Sequence, residues 1–412
     1  MLKRISVEQL VVGMYLKEFC GSWMEHPFWR SGFVITDSKD IAAVLSSSIK
    51  EVWIDSDKGL DVASDMSVVS LDTSDALVEA QLSEIMSVPR DTAPVSTARE
   101  LQRAAKICAE SKQAVISMFQ EARMGKAIDV GGAQQMVEEI TDSVARNPGA
   151  LISLARLKTV DDYTYMHSVA VCAMMVALAK QLGLDEKATR EVGLAGLMHD
   201  LGKAAMPMDV LNKPGQLTEA EFDTIKTHPE EGYRMLLSGH NVDPIVLDVC
   251  LHHHEKTNGS GYPKGLKSDE ISLFAKMGAV CDVYDAITSN RPYKDGWDPA
   301  ESLRKMAEWS NGHFDTQVFQ AFVKSLGIYP IGSLVKLMSG RLAVVIEQTP
   351  RSLTMPMVKV FFSTKSNMRV TPEVVDLSLA GTKDKIVSRE DPAKWKFADL
   401  NELWSGISPA RA

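Results

Sequence analysis

Histidine and carboxylate side chains that could hold metal ions are concentrated in one stretch of this sequence. Eight of the nine histidines fall between His167 and His313, with aspartates among them. Histidine is the commonest protein ligand for transition metals. Mixed with carboxylates, it suits iron, manganese, nickel or zinc and suits calcium poorly. The pattern therefore predicts a transition-metal site.

The pair His199-Asp200 ends an apolar helical run over residues 191–198. Adjacent helical residues point about 100° apart, so both could grip one metal only in the groove between them. The carboxylate could then place one oxygen on each of two metals. Lys203 follows one turn later on the same face, where its ammonium could meet a substrate phosphate or protonate a leaving oxygen. Alone the pair is weak evidence, because most such pairs are solvated or capping residues.

A histidine run at 252–255 (HHHE) is a stronger signal. It closes an apolar helix over 245–251 and precedes a glycine-rich loop at 258–265, where glycines let the backbone approach a ligand or turn sharply. Read alone, the run could be a solvated tract, and His228 before Pro229 could be a helix N-cap. The apolar helix and the loop on either side of the run favour metal ligation.

Two aspartates, Asp282 and Asp285, lie three residues apart on one face of an apolar helix predicted over 271–288. A carboxylate inside such a helix is costly unless it is paired or bound to a metal. Arg291 and Lys294 follow at the helix exit. They could be ordinary surface cations, but beside a metal centre they would serve as clamps on the phosphates of a substrate.

The chain that positions these residues is predicted to be mainly α-helical. Helical spacing marks residues 132–330 as a helical domain that contains the candidate ligands, with a capping box at 218–221. Short apolar runs and one helix predict a small α+β module over 1–70, and 71–131 reads as a linker and connecting helix. Short β-type runs predict a β appendage and polar tail over 331–412.

Composition and charge are those of a globular protein. Hydrophobic residues make up 45% of the chain and charged residues 24%, and the net charge of −9 offers no general basic field for duplex nucleic acid. Five scattered cysteines without a CxxC pair indicate reduced packing residues. The N-terminus lacks a signal-peptide core, and the most apolar helix, 169–182, is too short and polar to insert in a membrane. A cytoplasmic protein is predicted.

Several motifs in order resemble the HD-GYP family between residues 163 and 293. They are YTYMHS at 163–168, HDLGK at 199–203, LNKPGQL at 211–217, His228, HHE at 253–255, GSGYP at 259–263, DVYD at 282–285 and RPY at 291–293. The first 70 residues resemble a domain of unknown function often fused before HD-GYP domains, and His26 there is interpreted as a structural or surface histidine. Asn258 stands where an aspartate is usual, and His252 is an extra histidine not expected to be a ligand.

The resemblance implies a metal-dependent phosphodiesterase of bacterial second-messenger signalling, on a helical HD-type fold, that hydrolyses cyclic di-GMP to pGpG, GMP or both. It implies two divalent transition-metal ions (Fe, Mn, Ni or Zn). The ligands implied for the first ion are His167, His199, Asp200 and Asp282. The ligands implied for the second are His228, His253, His254 and Asp200 as a bridge.

Further roles follow from the same resemblance. Lys203 would act on the phosphate, beside Asp200, as the second catalytic residue. The residues implied to contact substrate are Arg291, Lys294, Asp285, Gly261, Tyr262 and Pro263. The last three form the loop that names the family, and they either shape the pocket or offer a surface to a protein partner. A homodimer stays open.

Rival interpretations remain at this point. Cyclic GMP-AMP or linear pGpG could be the preferred substrate. A non-catalytic binding protein of the same family would have lost a ligand among the motif residues, and none is lost here. An HD-fold phosphatase or dNTP hydrolase would not be expected to carry GSGYP or RPY. We expect residues 1–70 to carry no catalytic group, so a fragment beginning near residue 125 should retain metal and measurable hydrolysis if it folds.

The number of metals is also predicted from the resemblance. Some family members hold a third ion with a glutamate four residues before the first ligand histidine, and Tyr163 stands at that position here. A neutral phenol with a pKa near 10 is a poor ligand for a divalent cation. Asp161 and Asp162 are nearby, but their helical positions point elsewhere. Two metals, and not three, are therefore predicted.

Overall fold

The computed structural model divides the chain into two compact units. They are Met1–Glu84 with Ala307–Asn311, and Ile85–Met306 with Gly312–Ala412. The residues that the structure describes are 2–20, 32–47, 49–62, 69–70, 95–126, 130–157, 163–213, 215–239, 242–289, 296–349 and 352–407.

The N-terminal unit is a small α+β module, as the sequence predicts. Its antiparallel sheet has the strand order β3-β2-β4-β1-β5. The elements are β1 Leu2–Ser6, β2 Tyr15–Cys20, β3 Phe33–Val34, α1 Ser38–Ser46, β4 Glu51–Asp55 and β5 Val69–Ser70. Alternating side chains of the strands point to one apolar core, which includes Leu16, Val52 and Ile54, and Val44 of α1 packs into it. His26 lies outside the described residues.

Helices make up the first part of the second unit, and this confirms the predicted mainly α-helical HD-type fold. They are α2 Thr97–Arg123, α3 Val130–Arg146, α4 Pro148–Ala155, α5 Tyr163–Gln181, α6 Glu186–Met198, α7 Met208–Leu211, α8 Glu219–Ile225, α9 His228–Leu237, α10 Pro244–His252, α11 Leu273–Thr288, α12 Pro299–His313 and α13 Thr316–Leu326.

Helix starts follow from local sequence. The Thr218 hydroxyl accepts from the Glu221 amide, while the Glu221 carboxylate accepts from the Thr218 amide, so the predicted capping box is confirmed at α8. Pro229 and Pro244 occupy the first turns of α9 and α10, where no intrahelical amide bond is lost. Asp243 caps α10 through the Ile245 amide.

The long helix α5 lies at the centre of this unit. Every residue from Val169 to Ala179 is buried, so the helix is apolar on all sides, as expected for a core helix. It packs against α2, α3, α4, α6, α11 and α13. Cys172, Cys250 and Cys281 are free thiols buried in the helical core, in agreement with their predicted role as packing residues. None of the described helices has both the length and the hydropathy needed to cross a bilayer.

Helix α2, predicted as a connecting helix, is an integral part of this core. Its buried residues include Leu101, Val115 and Phe119, and the Phe119 ring meets Tyr165 of α5 edge to face at 5.7 Å. The prediction that a fragment beginning near residue 125 retains metal and hydrolysis requires that this fragment folds, and the packing of α2 bears on that condition. Such a fragment would expose the apolar surface that α2 covers.

A five-stranded antiparallel sheet follows the helices, in the order β10-β6-β7-β8-β9. Its strands are β6 Leu334–Leu337, β7 Arg341–Thr349, β8 Ser352–Ser363, β9 Met368–Asp376 and β10 Ile386–Arg389, followed by α14 Pro392–Trp395 and α15 Leu400–Ser405. The predicted β appendage is confirmed, but the predicted polar tail is wrong. Leu400 and Trp404 are buried in one apolar cluster with Phe361 of the sheet and with Leu101 and Ala150 of the helices.

Candidate metal centre

Six helical elements carry the predicted ligands, and these elements pack so that the ligand side chains meet. His167 lies on α5 and Asp282 on α11, while His199 ends α6 and Asp200 precedes a 3-10 helix over Leu201–Ala205. His228 begins α9. His253 and His254 directly follow α10. All of these side chains are buried except that of His254, which is 11% exposed.

The donor atoms form two groups, each within 4.8 Å. The first group contains His167, His199 and Asp282, and the second contains Asp200, His228, His253 and His254. In the first group, the two Nε2 atoms of His167 and His199 lie 3.3 Å apart, and His167 Nε2 lies 3.0 Å from Asp282 Oδ1. In the second, the Nε2 atoms of His228 and His253 also lie 3.3 Å apart.

The carboxylate of Asp200 lies between the two groups. Its Oδ2 is 3.5 Å from His167 Nε2 and 3.4 Å from His199 Nε2. Its Oδ1 is 3.2 Å from His228 Nε2 and 3.8 Å from His253 Nε2. One oxygen therefore faces each group, which is the arrangement required of a bridging ligand.

Backbone carbonyls fix the orientation of three of the imidazoles. His199 Nδ1 lies 2.8 Å from Gly196 O, His228 Nδ1 lies 2.7 Å from Ile225 O, and His253 Nδ1 lies 3.0 Å from Val249 O. A carbonyl oxygen can only accept, so each Nδ1 carries the proton and donates it. Each Nε2 then presents a lone pair to the centre, as metal-ligating histidines do.

The fourth oriented imidazole, His167, uses a side chain for the same purpose. Its Nδ1 lies 2.6 Å from Oδ2 of Asp285, which is itself buried one helical turn beyond Asp282. The sequence predicted Asp285 as a substrate contact. That role is still a prediction. In the structure, the carboxylate orients the His167 ring.

The charge states in the centre suit cation binding. Burial opposes ionisation of Asp200, but Lys203 and His199 outweigh it and hold the pKa of that carboxyl well below its usual range. The pKa of Asp282 is likewise low, because hydrogen bonding to His167 outweighs burial. Burial lowers the pKa of His254 to about 3 and that of His253 well below its usual value. Ionised carboxylates and neutral imidazoles are the forms that bind metal.

The residues present fit divalent transition metals. Oδ1 of Asp200 is buried and, among the described residues, has no hydrogen-bond partner. The nearby Nε2 of His228 is an acceptor in the neutral ring whose Nδ1 donates to Ile225 O. Lone pairs that converge without an intervening proton would repel each other. A cation between them removes that repulsion, and mixed imidazole and carboxylate donors suit manganese, iron, nickel or zinc.

Lys203 lies at the edge of this centre, in the 3-10 helix after Asp200. Its Nζ donates a hydrogen bond to Asp200 Oδ2, and its side chain is 23% exposed. The ammonium is thus within reach of both the centre and the solvent. The structure thus places Lys203 beside the predicted ligands.

The loop after α10 packs against the second donor group. The ring of Tyr262 stacks on the His254 imidazole with centroids 4.6 Å apart and an interplanar angle of 25°. Gly261 allows this close approach, because a Cβ there would lie 2.4 Å from the Lys256 amide nitrogen. The Tyr262-Pro263 peptide is cis. The loop predicted to shape the pocket therefore lies directly on a predicted ligand.

Sequence reasoning missed the part played by Glu255. This buried carboxylate accepts hydrogen bonds from three successive loop amides, those of Lys264, Gly265 and Leu266. Its position directly after two predicted ligand histidines was the available signal. His252, in contrast, is paired with Asp248 at 2.8 Å and belongs to neither donor group found among the described residues.

Several predicted contacts fall on residues that the structure does not describe. Arg291 and Lys294, the two predicted phosphate clamps, lie outside the described residues. Asp161 and Asp162 do so as well, and so does the side chain of Tyr163. The loop residue Asn258 is described, and its Oδ1 accepts from the Ser260 amide at 2.9 Å, so the predicted turn at this position is present.

Comparison with known proteins gives matches over nearly the whole chain. Residues 2–133 match a domain of unknown function (DUF3391), and residues 139–318 match the HD domain family. A cyclic di-GMP phosphodiesterase of Pseudomonas aeruginosa is 54% identical over 409 residues, which are 99% of this chain and 97% of that protein. The chain belongs to the HD-GYP family.

Two further relatives match shorter stretches of the chain. A cyclic di-GMP phosphodiesterase response regulator of Xanthomonas campestris is 40% identical over 148 residues, covering 36% of this chain and 39% of that protein. A 3'3'-cGAMP-specific phosphodiesterase of Vibrio cholerae is 37% identical over 164 residues, covering 40% and 38%. The family resemblance inferred from the motifs is thus confirmed, and so is the domain of unknown function before it.

Proposed function

We propose that this protein is a metal-dependent phosphodiesterase that hydrolyses cyclic di-GMP to pGpG, GMP or both. The observation that carries the proposal is the position of Asp200, with Oδ2 3.4 Å from His199 Nε2 and Oδ1 3.2 Å from His228 Nε2. A carboxylate shared between two sets of imidazoles is the core of a two-metal hydrolase. The relative that matches nearly the full length is named for this activity.

Two divalent transition-metal ions are proposed as the cofactors. His167, His199, Asp200 and Asp282 would hold one ion, and Asp200, His228, His253 and His254 would hold the other. When bound, such ions neutralise the phosphoryl oxygens and lower the pKa of a water molecule, so that it can attack an otherwise inert phosphodiester.

The number of ions is tested by anomalous scattering from crystals at the metal edge. Two peaks joined by Asp200 are expected, and a third strong peak beside Asp285 would refute the two-metal proposal.

The residues of the chain supply binding, orientation and a proton. Hydrolysis forms a bond between phosphorus and a water oxygen and breaks the bond to a ribose oxygen, which must then take up a proton. Lys203 holds a proton on Nζ at the rim of the centre and is placed to donate it to that leaving oxygen. Asp200 keeps the ammonium in position through its hydrogen bond with Nζ.

Cyclic di-GMP is proposed as the preferred substrate among the nucleotides that the family hydrolyses. Full-length similarity to a cyclic di-GMP phosphodiesterase favours cyclic di-GMP over cyclic GMP-AMP, since the similarity to the cGAMP-specific relative covers only 40% of the chain. Linear pGpG would be the first product and a second substrate. A protein partner at the Gly261–Tyr262–Pro263 loop, a homodimer and a regulatory role for residues 1–70 stay predictions from the sequence.

One experiment tests the proposed function. The purified protein is incubated with cyclic di-GMP, cyclic GMP-AMP and pGpG separately, products are followed over time by chromatography, and metal content is measured on the same sample. We expect fastest loss of cyclic di-GMP, with pGpG appearing before GMP. Faster cleavage of cyclic GMP-AMP would overturn the substrate, and no cleavage by metal-loaded protein would overturn the activity.

A further inference from the structure

His254 differs from the other proposed ligands in how its ring is held. His199, His228 and His253 each donate Nδ1–H to a backbone carbonyl, and His167 donates to Asp285. Among the described residues, no hydrogen bond orients the His254 ring. Its ring meets three other rings: His253, tilted at 4.2 Å, Tyr262, stacked at 4.6 Å, and His228, edge to face at 5.0 Å. Its Nδ1 lies 3.7 Å from Asp282 Oδ2, which is too far for a hydrogen bond.

We infer that Tyr262 and Glu255 are the positioning residues for His254, with the stacked phenol ring replacing the missing hydrogen bond and the Glu255 carboxylate fixing the loop that carries it. This inference rests on the proposed metal site. It gives the Gly261–Tyr262–Pro263 loop a task in forming the metal centre itself, apart from any contact with substrate or a partner.

The ring contact has the geometry needed for this task. An interplanar angle of 25° is close to parallel, so the Tyr262 face covers one face of the imidazole. The edge-on ring of His228, at 87°, limits rotation from another direction. A flat side chain against a flat ring resists rotation about the side-chain torsions of His254, which would otherwise move its donor nitrogen away from the centre.

The loop is held at the backbone on both sides of Tyr262. Before the tyrosine, Gly261 lies against the backbone of residues 254–256, where a Cβ would be 2.6 Å from His254 O. At the tyrosine, its amide donates to His254 O at 3.2 Å. After it, the Glu255 carboxylate accepts from Lys264, Gly265 and Leu266 at 2.7, 3.1 and 2.9 Å.

Glu255 needs both of its oxygens for this arrangement. Oε1 accepts from the Lys264 and Gly265 amides, and Oε2 accepts from the Leu266 amide. Charge-assisted hydrogen bonds of this kind are stronger than neutral ones. A glutamine would keep one acceptor oxygen but would present an NH2 group to a remaining N–H donor, so part of the clamp would be lost. The substitution leaves the size of the side chain unchanged.

The test measures Mn²⁺ binding to the metal-free full-length protein, with free Mn²⁺ followed by electron paramagnetic resonance and folding checked by thermal unfolding. Glu255→Gln and Tyr262→Leu are each expected to weaken the affinity for Mn²⁺ by about tenfold, the size typical of lost outer partners of a ligand. Tyr262→Phe keeps the stacked ring and should bind Mn²⁺ within about twofold of wild type. The double variant Glu255→Gln/Tyr262→Leu should bind no more weakly than Tyr262→Leu alone, because the two residues act in series.

The matched control is Glu270→Gln, since Glu270 also accepts from a backbone amide, that of Lys267, but is exposed and beyond the loop. Unchanged Mn²⁺ affinity in Tyr262→Leu would overturn the inference, as would additive losses in the double variant. If Tyr262→Phe loses activity but keeps Mn²⁺ affinity, the phenol also contacts substrate and the inference stands. Absence of Mn²⁺ binding by the wild-type protein would instead refute the proposed metal site.

Discussion

Oδ2 of Asp285 lies 2.6 Å from Nδ1 of His167, while Nε2 of the same ring faces Asp282 at 3.0 Å. The two carboxylates are separated by one turn of α11 and hold the imidazole from both of its nitrogens. Burial opposes protonation of His167, but both aspartates outweigh it and raise its pKa. An environment that favours a proton on this ring also favours a metal cation at its Nε2.

Replacing Asp285 with asparagine should weaken Mn²⁺ binding by about tenfold and lower kcat, because the imidazole loses a charged outer partner. Mn²⁺ titration and steady-state kinetics on the same preparation measure this. Asp223→Asn, at a 61% exposed side chain, is the control for the substitution. Unchanged Mn²⁺ affinity combined with a higher KM would show that Asp285 meets the substrate, as the sequence predicted.

Asp200→Ala is expected to abolish hydrolysis and to reduce bound metal, because it removes the oxygens that face both donor groups. Metal content by elemental analysis and product formation by chromatography give the two readouts. A variant with full metal content or wild-type turnover would contradict the bridging assignment.

Lys203→Ala should retain its metal, since a protonated ammonium is not a ligand, but should lose activity by about 10²–10⁴-fold, as expected for a missing proton donor. Initial rates and metal content are compared with those of Lys106→Ala, where the side chain is 76% exposed. An unchanged kcat would show that Lys203 only pairs with Asp200.

Truncation tests the place of α2 in the catalytic unit. A fragment that begins at residue 85, where the second unit starts, should fold cooperatively and bind Mn²⁺. A fragment that begins at residue 125 should do neither. It lacks α2, whose buried residues include Leu101, Val115 and Phe119, so the apolar surface that they cover would be exposed to water. Circular dichroism and thermal unfolding measure the outcome. A cooperative transition in the shorter fragment would show that α2 is not needed for folding, in line with the connecting role that the sequence predicts for it.

Glu100 should make stability depend on pH. Burial opposes its ionisation, but hydrogen bonds from Arg146 and Ser143 outweigh burial and keep its pKa below the ordinary value. Stabilisation by a carboxylate of this kind is complete above the unfolded-state pKa of about 4.3 and is lost as the pH falls through the lower folded-state value.

Glu100→Gln should therefore lower the free energy of unfolding by about 1.5–3 kcal/mol at pH 7. The difference from wild type should shrink as the pH is lowered from about 5 toward 3. Urea unfolding at several pH values measures it, with Glu110→Gln, at a 57% exposed side chain, as the control. A difference that is constant with pH would assign the loss to packing alone.

Residue types and their spacing were enough to establish the helical fold class and the set of candidate ligands. Helical periodicity and caps are local properties, so Thr218, Pro229 and Pro244 marked helix starts correctly. The histidine run at 252–255 was recognisable from its apolar helix and the glycine-rich loop after it, whereas the His199-Asp200 pair was weak evidence until the family motifs were considered. The remaining ligands and the substrate contacts were assigned from the family motifs, which keep given residue types at given positions.

Packing in three dimensions determined which side chains support that site and where the catalytic unit ends. Asp285 and Glu255 act through partners 118 and 9–11 residues away along the chain, and such pairings depend on how helices and loops meet in space. The burial of α2 and of Leu400 and Trp404 was hidden for the same reason. An amphipathic helix has the same sequence pattern whether it links two domains or covers a core, and only its packing partners distinguish the two.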